Sequence, residues 1–458
     1  MFPGMSLGRR SFLAAGLAAF GAARSEAVQR SGAHYRSVLS SIDRIPIVNT
    51  HEHILAEADR LKGPRDPFLL VGHYLINDLI SAGLPADDAA KLADANAPLD
   101  TRFQLFEPYW KLARFTGYAE AFRIALRDLY GVNEISLRGF EGVREQMAGL
   151  KPGFYKDVLQ KRANIAYSVL DDYWNGDPVR PDHELFVLAR KFDWFVAPRS
   201  RKDLTRMEEV TGVSIGSLSG LKKALEKRIE QNLAVGMVTI KSTIAYQRSL
   251  DFAPATEADA SRAFAMLVAR KEAPESSPRD ATERPLRALE DYMFHTLLDI
   301  AAQHHLPVQV HTGIQAGNGN HLPNSRPSLL TQCIRMHSGV TFDLFHIGYP
   351  WFGEVIALAK MFPNVTADFC WAWVLSPVTA RRALREMLGA VPYGKILGFG
   401  GDYRYVELSY GHARMARENI AQVLAEMVED HELLENDAME IAEAILAKNP
   451  ARLFPKSG

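Results

Sequence analysis

A short apolar run that ends in two histidines constrains this chain most. Residues 45–53 read Ile-Pro-Ile-Val-Asn-Thr-His-Glu-His, with His51 and His53 at the end. On a β-strand, residues i and i+2 point to the same side. The two imidazoles can therefore converge on one point, as a chelating metal site requires. Taken alone, such a pair is equally consistent with polar residues at an ordinary strand end.

Four later apolar runs also end in a potential ligand. They end at Lys241, His311, His346 and Asp402. In a barrel of parallel strands, the C-terminal strand ends converge on one mouth, where active sites lie. These runs predict an α/β fold of the (β/α)8 TIM-barrel type. The predicted strands are 45–53, 164–170, 192–199, 236–241, 306–311, 340–346, 364–369 and 396–402.

Length and composition agree with a barrel enzyme and exclude other classes. A chain of 458 residues suits a (β/α)8 barrel with insertions. The net charge of −1 provides no basic field, so nucleic acid is not an expected partner. Cys333 and Cys370 are the two cysteines, too few for a disulfide framework. The sequence is compatible with a homo-oligomer.

The first 27 residues have the character of an export signal. Arg9-Arg10 precedes an apolar run that ends at Phe20, and small residues near Ala27 offer a cleavage site. We expect residues 1–27 to engage the twin-arginine export machinery, which would make the protein periplasmic or exported. An ordinary secretory signal or an uncleaved anchor is the alternative. No other run approaches the ~20 apolar residues of a transmembrane helix.

The order of strand-end ligands resembles that of the amidohydrolase superfamily. Residues 240–248, 399–402 and the ending 449–454 resemble stretches of its amidohydrolase-related (amidohydrolase 2) family. Within that family the chain resembles uronate isomerase-like proteins and the hydrolase-like half of nodulin/glutamine-synthetase-like fusion proteins. The barrel is expected to span residues 33–458. Residues 54–160 are predicted to form a helical insertion after strand 1, and they resemble the uronate isomerase insertion at 72–75 and 107–112.

The resemblance implies a metal site built from strand ends. His51 and His53 would bind the first metal, and Asp402 would complete its shell and act as general base. His311 would be a ligand, and His346 a second ligand or a hydrogen-bonding electrophile. One or two divalent ions per chain are expected, with Zn first and Mn or Fe as alternatives.

Lys241 leaves three roles open. In some branches of the superfamily, the lysine at this position is carboxylated and bridges two metals. A free lysine is a poor ligand near neutral pH because its pKa of about 10.4 keeps it protonated. It could instead bind a substrate carboxylate or form a structural ion pair. We therefore include Lys241 with Asp402 and His346 among the catalytic candidates, and also among the metal ligands.

A second set of residues follows the strand ends and is expected to contact a small substrate. An arginine-rich, aromatic mouth favours an anionic molecule such as a sugar acid, a lactone or an N-acyl amino acid. Arg404, two residues after Asp402, is the candidate for the substrate carboxylate. The predicted substrate-binding residues are Arg404, Arg326, Tyr246, Arg248 and Trp371.

The function expected from these residues is metal-dependent hydrolysis. Metal-activated water would attack an amide, lactone or ester bond, with Asp402 moving the proton. The alternative is aldose–ketose isomerisation of a uronate, or a metal-dependent decarboxylation, on the same barrel. A third hypothesis is a periplasmic binding protein that kept the barrel without catalysis.

Overall fold

The computed structural model describes residues 32, 34–172, 182–269 and 284–456. The predicted export signal, residues 1–27, lies outside the described residues. Across the described residues, no helix combines the length and the apolar character needed to cross a membrane.

Eight parallel strands form a barrel in chain order, and the predicted (β/α)8 fold is confirmed. Each strand pairs with the next one along the chain. The segment after the last strand lies against the first strand, where the Thr50 N–H donates a hydrogen bond to the Phe399 carbonyl over 3.0 Å. The strands are β1 Ile47–Glu52, β2 Ile165–Leu170, β3 Phe186–Lys191, β4 Met237–Ser242, β5 Val308–Val310, β6 Phe342–Leu344, β7 Val365–Asp368 and β8 Ile396–Leu397.

Helices cover the outside of the barrel and fill the insertion. The helices before β2 are α1 34–42, α2 Glu57–Lys62, α3 Phe68–Val71, α4 Leu75–Ser81, α5 Ala86–Ala93, α6 Leu99–Ala113, α7 Gly117–Tyr130 and α8 Leu137–Ala148. The later helices are α9 Asp193–Val196, α10 Arg201–Thr211, α11 Leu218–Leu233, α12 Glu257–Ala269, α13 Arg284–Gln303, α14 Thr331–Met336, α15 Phe352–Met361, α16 Ala372–Leu375, α17 Pro377–Ala390, α18 Val406–Glu429, α19 Glu435–Glu443 and α20 Asn449–Leu453. Two π-helical turns, Lys156–Arg162 and Ala444–Lys448, precede β2 and α20.

The third strand lies earlier in the chain than predicted. We predicted it at 192–199, but β3 ends at Lys191 and the short helix α9 follows. Asp193 turns the chain there, because its carboxylate accepts hydrogen bonds from Ser242 Oγ at 2.7 Å and from Thr243 N–H at 2.6 Å. These bonds tie the end of β3 to the end of β4. The run of apolar and aromatic residues after Lys191 is therefore buried in a turn.

The insertion packs onto the barrel through a close helix crossing. Helix α7 crosses α18, the long helix after β8, and Gly411 lies at the contact. A Cβ on Gly411 would lie 2.1 Å from the backbone oxygen of Ala121. Only glycine leaves room for the two backbones to approach this closely.

Replacing Gly411 with alanine should destabilise the protein, because the added methyl group meets backbone that cannot move aside. We expect a loss of about 1–3 kcal/mol in the free energy of unfolding, measured by urea titration. Gly389→Ala is the matched control. That glycine lies in α17 with nothing within 4 Å of its added Cβ, so the control should be neutral or more stable by about 0.5–1 kcal/mol. Equal unfolding midpoints for the two variants would contradict the close crossing.

Candidate active site

The mouth of the barrel brings His51, His53 and Asp402 together. His51 is fully buried near the end of β1, and His53 follows just beyond the strand. The Nε2 atoms of His51 and His53 lie 3.7 and 3.3 Å from Asp402 Oδ1. Three potential ligand atoms therefore converge on one small volume.

Asp402 does not end a strand as predicted, but lies on the loop after β8. Its φ of 59° is in the left-handed region, and its N–H donates to the His51 carbonyl over 2.9 Å. Gly401 lets the backbone before Asp402 pass close to Glu52, since a Cβ there would lie 1.8 Å from Glu52 Oε1. Glu52 Oε2 in turn accepts the Tyr403 N–H at 2.8 Å. Glu52 thus holds the turn that presents Asp402.

Hydrogen bonds fix which nitrogen of each histidine faces the site. His53 Nδ1 lies 2.9 Å from the Asp171 carbonyl, which can only accept, so Nδ1 carries the proton. Gln309 Nε2 donates to the Thr50 carbonyl over 2.9 Å, which turns its Oε1 towards His51 Nδ1 at 3.1 Å. Both Nε2 lone pairs consequently point towards Asp402.

These residues fit a divalent metal ion. The Nε2 atom of His51 is buried and has no hydrogen-bond partner among the described residues. Burial lowers the pKa of His51 well below its usual value, which keeps the imidazole neutral. Burial also raises the pKa of Asp402, but its interactions with the surrounding histidines bring it well below the usual range. Two imidazoles and one carboxylate are a common ligand set for such ions.

His311 and His346 form a second pair beside this cluster. His311 Nε2 donates to the Ile314 carbonyl and His346 Nδ1 to the Cys370 carbonyl, both over 2.9 Å. The remaining nitrogens face each other at 3.0 Å. Burial lowers the pKa of His346 to about 4. Ligand atoms of His346, Cys370 and Asp402 also lie within 4.8 Å of one another. The thiol of Cys370 was not among the predicted ligands.

Lys241 is buried at the end of β4 and lies over an aromatic ring. Its Nζ is 3.3 Å from the centroid of Phe345, and no described carboxylate forms an ion pair with it. Burial lowers the pKa of Lys241 to about 8, against the opposing charge of Asp402. The amine therefore loses its proton more readily than a surface lysine does. Carboxylation, substrate binding and a structural role all remain open for this residue.

Two predicted substrate residues pack against His311 and His346, and a third lies close to Asp402 in the sequence. The ring of Trp371 is 5.1 Å from that of His346, and the ring of Tyr246 is 4.8 Å from that of His311. Arg404 is partly buried two residues after Asp402. These three residues remain candidates for the substrate pocket.

Arg248 and Arg326, two further predicted substrate residues, pair with acidic residues on outer helices. The buried guanidinium of Arg248 pairs with Glu290 at 3.0 Å and with Asp291 at 2.7 Å on α13. Arg326 is half exposed and pairs with Glu354 at 2.6 Å on α15. Both arginines attach loops to outer helices, and their substrate roles stay predictions.

Two residues that the sequence analysis did not select come from the insertion. Tyr74 has a φ of 70°, and its hydroxyl lies 2.8 Å from Asp402 Oδ2 and 2.8 Å from the Asp402 carbonyl. The ring of His73 packs beside it, with centroids 4.1 Å apart. Burial lowers the pKa of His73 to about 3, so this ring is neutral. The only signal for either residue was the resemblance at 72–75.

Comparisons with known proteins agree with this geometry. Residues 232–456 match the model of the amidohydrolase family. The predicted resemblance to the amidohydrolase superfamily is confirmed over these residues. Protein fluG of Emericella nidulans is 29% identical over 227 residues, covering 48% of this chain and 25% of that protein. This amidohydrolase-like chain thus spans only about a quarter of the fluG length.

Other relatives align along nearly the whole chain and are named uronate isomerases. The uronate isomerase of Corynebacterium efficiens is 23% identical, over 92% of this chain and 95% of its own length. The crystal structure of the Thermotoga maritima uronate isomerase has a TM-score of 0.77 at 16% identity, over 92% of this chain and 97% of its own. Both of these proteins are uronate isomerases by name, so the predicted hydrolase function is contradicted and the isomerase alternative is favoured.

Replacing Gln309 with leucine should weaken metal binding without unfolding the protein. The change removes the acceptor that keeps the His51 proton on Nδ1, so the metal-facing tautomer is no longer selected. We expect the affinity for Zn²⁺ to fall by about 10–100-fold, measured by competition with a fluorescent chelator. Gln315→Leu is the matched control, since Gln315 is also buried but donates to the Ala245 carbonyl. Unchanged affinity in Gln309→Leu would contradict the assigned tautomer.

Proposed function

We propose that the protein is a metal-dependent isomerase that interconverts the aldose and ketose forms of a uronate. The observation that carries the proposal is similarity to uronate isomerases along 92% of the chain, insertion included. The insertion supplies Tyr74, whose hydroxyl contacts Asp402. The helical insertion therefore contributes a side chain that contacts Asp402.

His51, His53 and Asp402 would hold the metal ion. Zn is the expected ion, with Mn or Fe as alternatives, because neutral imidazole and carboxylate suit all three. A bound ion would act as a Lewis acid on the substrate oxygens at C1 and C2. The chain supplies the remaining chemistry, which is the movement of protons.

Aldose–ketose isomerisation moves one proton from C2 to C1 and one hydroxyl proton from O2 to O1. The ionised carboxylate of Asp402 is placed to accept the C2 proton and to return it at C1. Burial, together with the negative charge of Asp402, raises the pKa of Tyr74 well above its usual value. The phenol therefore stays protonated and keeps one carboxylate oxygen oriented by its hydrogen bond.

The surroundings of the cluster suit a reaction that consumes no water. The ring of Tyr74 stacks on Tyr118 at 5.3 Å, and Tyr118 stacks on Trp371 at 6.0 Å. These rings form an aromatic wall that limits the access of solvent to Asp402. Arg404 is the proposed contact for the substrate carboxylate, because guanidinium binds carboxylate in a bidentate fashion.

The purified, metal-loaded protein should convert hexuronates such as glucuronate and galacturonate to ketoses, as followed by the appearance of the keto sugar. Asp402→Asn should lower kcat by about 10²–10⁴-fold, because the amide cannot accept the proton. Chelation should abolish turnover, and added metal should restore it. Hydrolysis of lactones or amides without any uronate isomerisation would contradict the proposal.

Removing the Tyr74 hydroxyl should slow the reaction while leaving the fold intact. We expect Tyr74→Phe to lower kcat by about 10²-fold, the cost of losing one oriented donor. Tyr118→Phe keeps the same ring stack, and no described bond joins its hydroxyl to Asp402. The control should therefore retain nearly full kcat. Equal activity of the two variants would show that the Tyr74 hydrogen bond plays no part in the reaction.

A further inference from the structure

A second carboxylate lies beside the metal cluster. Asp171 directly follows β2, and its Oδ2 lies 3.7 Å from His51 Nε2, the same distance that separates His51 Nε2 from Asp402 Oδ1. Ligand atoms of His51, His53 and Asp171 also lie within 4.8 Å of one another. Judged by these distances alone, Asp171 is as good a candidate for a metal ligand as Asp402 is.

The lone pairs of the histidines favour Asp402 over Asp171. Asp402 Oδ1 lies 3.3 Å from His53 Nε2, the nitrogen whose lone pair faces the site. Asp171 Oδ2 lies 3.7 Å from His53 Nδ1, the nitrogen that donates its proton to the Asp171 carbonyl. An ion bound by both Nε2 atoms therefore lies next to Asp402, and it has Asp171 as a second carboxylate near His51.

Lys191 already neutralises this second carboxylate. Lys191 is the last residue of β3, and its Nζ lies 2.8 Å from Asp171 Oδ2. The side chains of Lys191 and Asp171 are 20% and 1% exposed, so solvent barely reaches the pair. Removal of one partner from a buried ion pair leaves an uncompensated charge. A carboxylate released from Lys191 would therefore be stabilised by another cation, such as an ion at His51.

The backbone of Asp171 is fixed, so the carboxylate group is the part of the residue that can change partners. The Asp171 N–H donates to the Glu52 carbonyl over 2.8 Å, and the Asp171 carbonyl accepts from His53 Nδ1 at 2.9 Å. Both backbone groups are thus held by β1 and the residue that follows it. Rotation of the side chain alone would turn the carboxylate from Lys191 towards His51.

The neighbouring residue on β3 forms a similar ion pair that faces away from the cluster. Adjacent residues on a strand point to opposite sides of the sheet. Arg190 pairs with Asp172, and its Nε donates to Asn232 Oδ1 on α11 at 3.1 Å. Arg190 therefore points towards the outer helices, whereas Lys191 points into the barrel mouth. The two pairs have the same charges and lie next to each other, but only one of them contacts the metal cluster.

We propose that Lys191 keeps the Asp171 carboxylate off the metal ion, so that His51, His53 and Asp402 hold the ion without it. A catalytic metal needs open coordination positions, and the two substrate oxygens of an aldose–ketose isomerisation would use them. Lys191 is thus a positioning residue that acts through Asp171. The inference rests on the metal site of the proposed function, but it does not depend on which reaction that site catalyses.

The test measures the Zn²⁺ affinity of the full chain by competition with a fluorescent chelator. Lys191→Met should raise the affinity by about 10–100-fold, because the released carboxylate becomes a further ligand. Arg190→Met is the matched control. It removes the neighbouring cation, whose partner is Asp172, and should leave the affinity within about 2-fold of the unaltered value. An unchanged affinity in Lys191→Met would overturn the proposal.

Asp171→Asn distinguishes a new ligand from a simple change of charge. In the Lys191→Met background, Asp171→Asn should weaken Zn²⁺ binding about 10-fold more than it does in the unaltered protein, because only there is the carboxylate a ligand. A change of charge alone would weaken binding by the same factor in both backgrounds. Equal factors would therefore also overturn the proposal.

Melting temperatures provide a second measurement if Lys191→Met folds poorly without metal. An ion that binds only the folded state stabilises it more when it binds more tightly. Added Zn²⁺ should therefore raise the melting temperature of Lys191→Met by more than that of the unaltered protein or of Arg190→Met, and an equal rise would contradict the proposal. None of these measurements requires turnover, so they hold even if the protein does not isomerise uronates.

Discussion

The candidate site depends on the way in which the chain after β8 returns to β1. Thr50 N–H donates to the Phe399 carbonyl, Asp402 N–H to the His51 carbonyl, and His53 N–H to the Tyr403 carbonyl, at 3.0, 2.9 and 3.0 Å. These bonds close the barrel and also bring a carboxylate from one end of the fold beside two histidines from the other. The same hydrogen bonds therefore close the barrel and assemble the site.

Burial shifts the pKa values of the carboxyl groups near the point where the barrel closes. It raises the pKa of Glu52 to about 8 and that of Asp343 to about 7, and it raises that of Asp368 well above the usual value. These carboxyls take up a proton more readily than exposed ones do, and they hold the barrel interior by hydrogen bonds. Asp402 differs because His53 contacts it directly. One carboxylate therefore keeps its charge beside two imidazoles, which is the arrangement that a divalent ion and a proton transfer both need.

The barrel and its strand-end histidines could be predicted because their signals are local. An apolar run ending in His51 or His311 specifies a buried strand and the direction of its last side chain. The contact of Tyr74 with Asp402 could not be predicted, because it depends on the folding of an insertion 328 positions away in the chain. The carboxylates that occupy Arg248 are likewise visible only in three dimensions. The run at 192–199 has the apolar character of a strand, yet a tertiary hydrogen bond places it in a turn.

The most direct test of this account is a crystal structure of the protein with metal and a bound uronate, phased at the absorption edge of the metal. The account predicts an anomalous peak within bonding distance of His51 Nε2, His53 Nε2 and Asp402 Oδ1. It also predicts C1 and C2 of the sugar beside Asp402 and the sugar carboxylate on Arg404. A peak that excludes these three ligands, or a sugar bound away from Asp402, would contradict the proposed isomerase site.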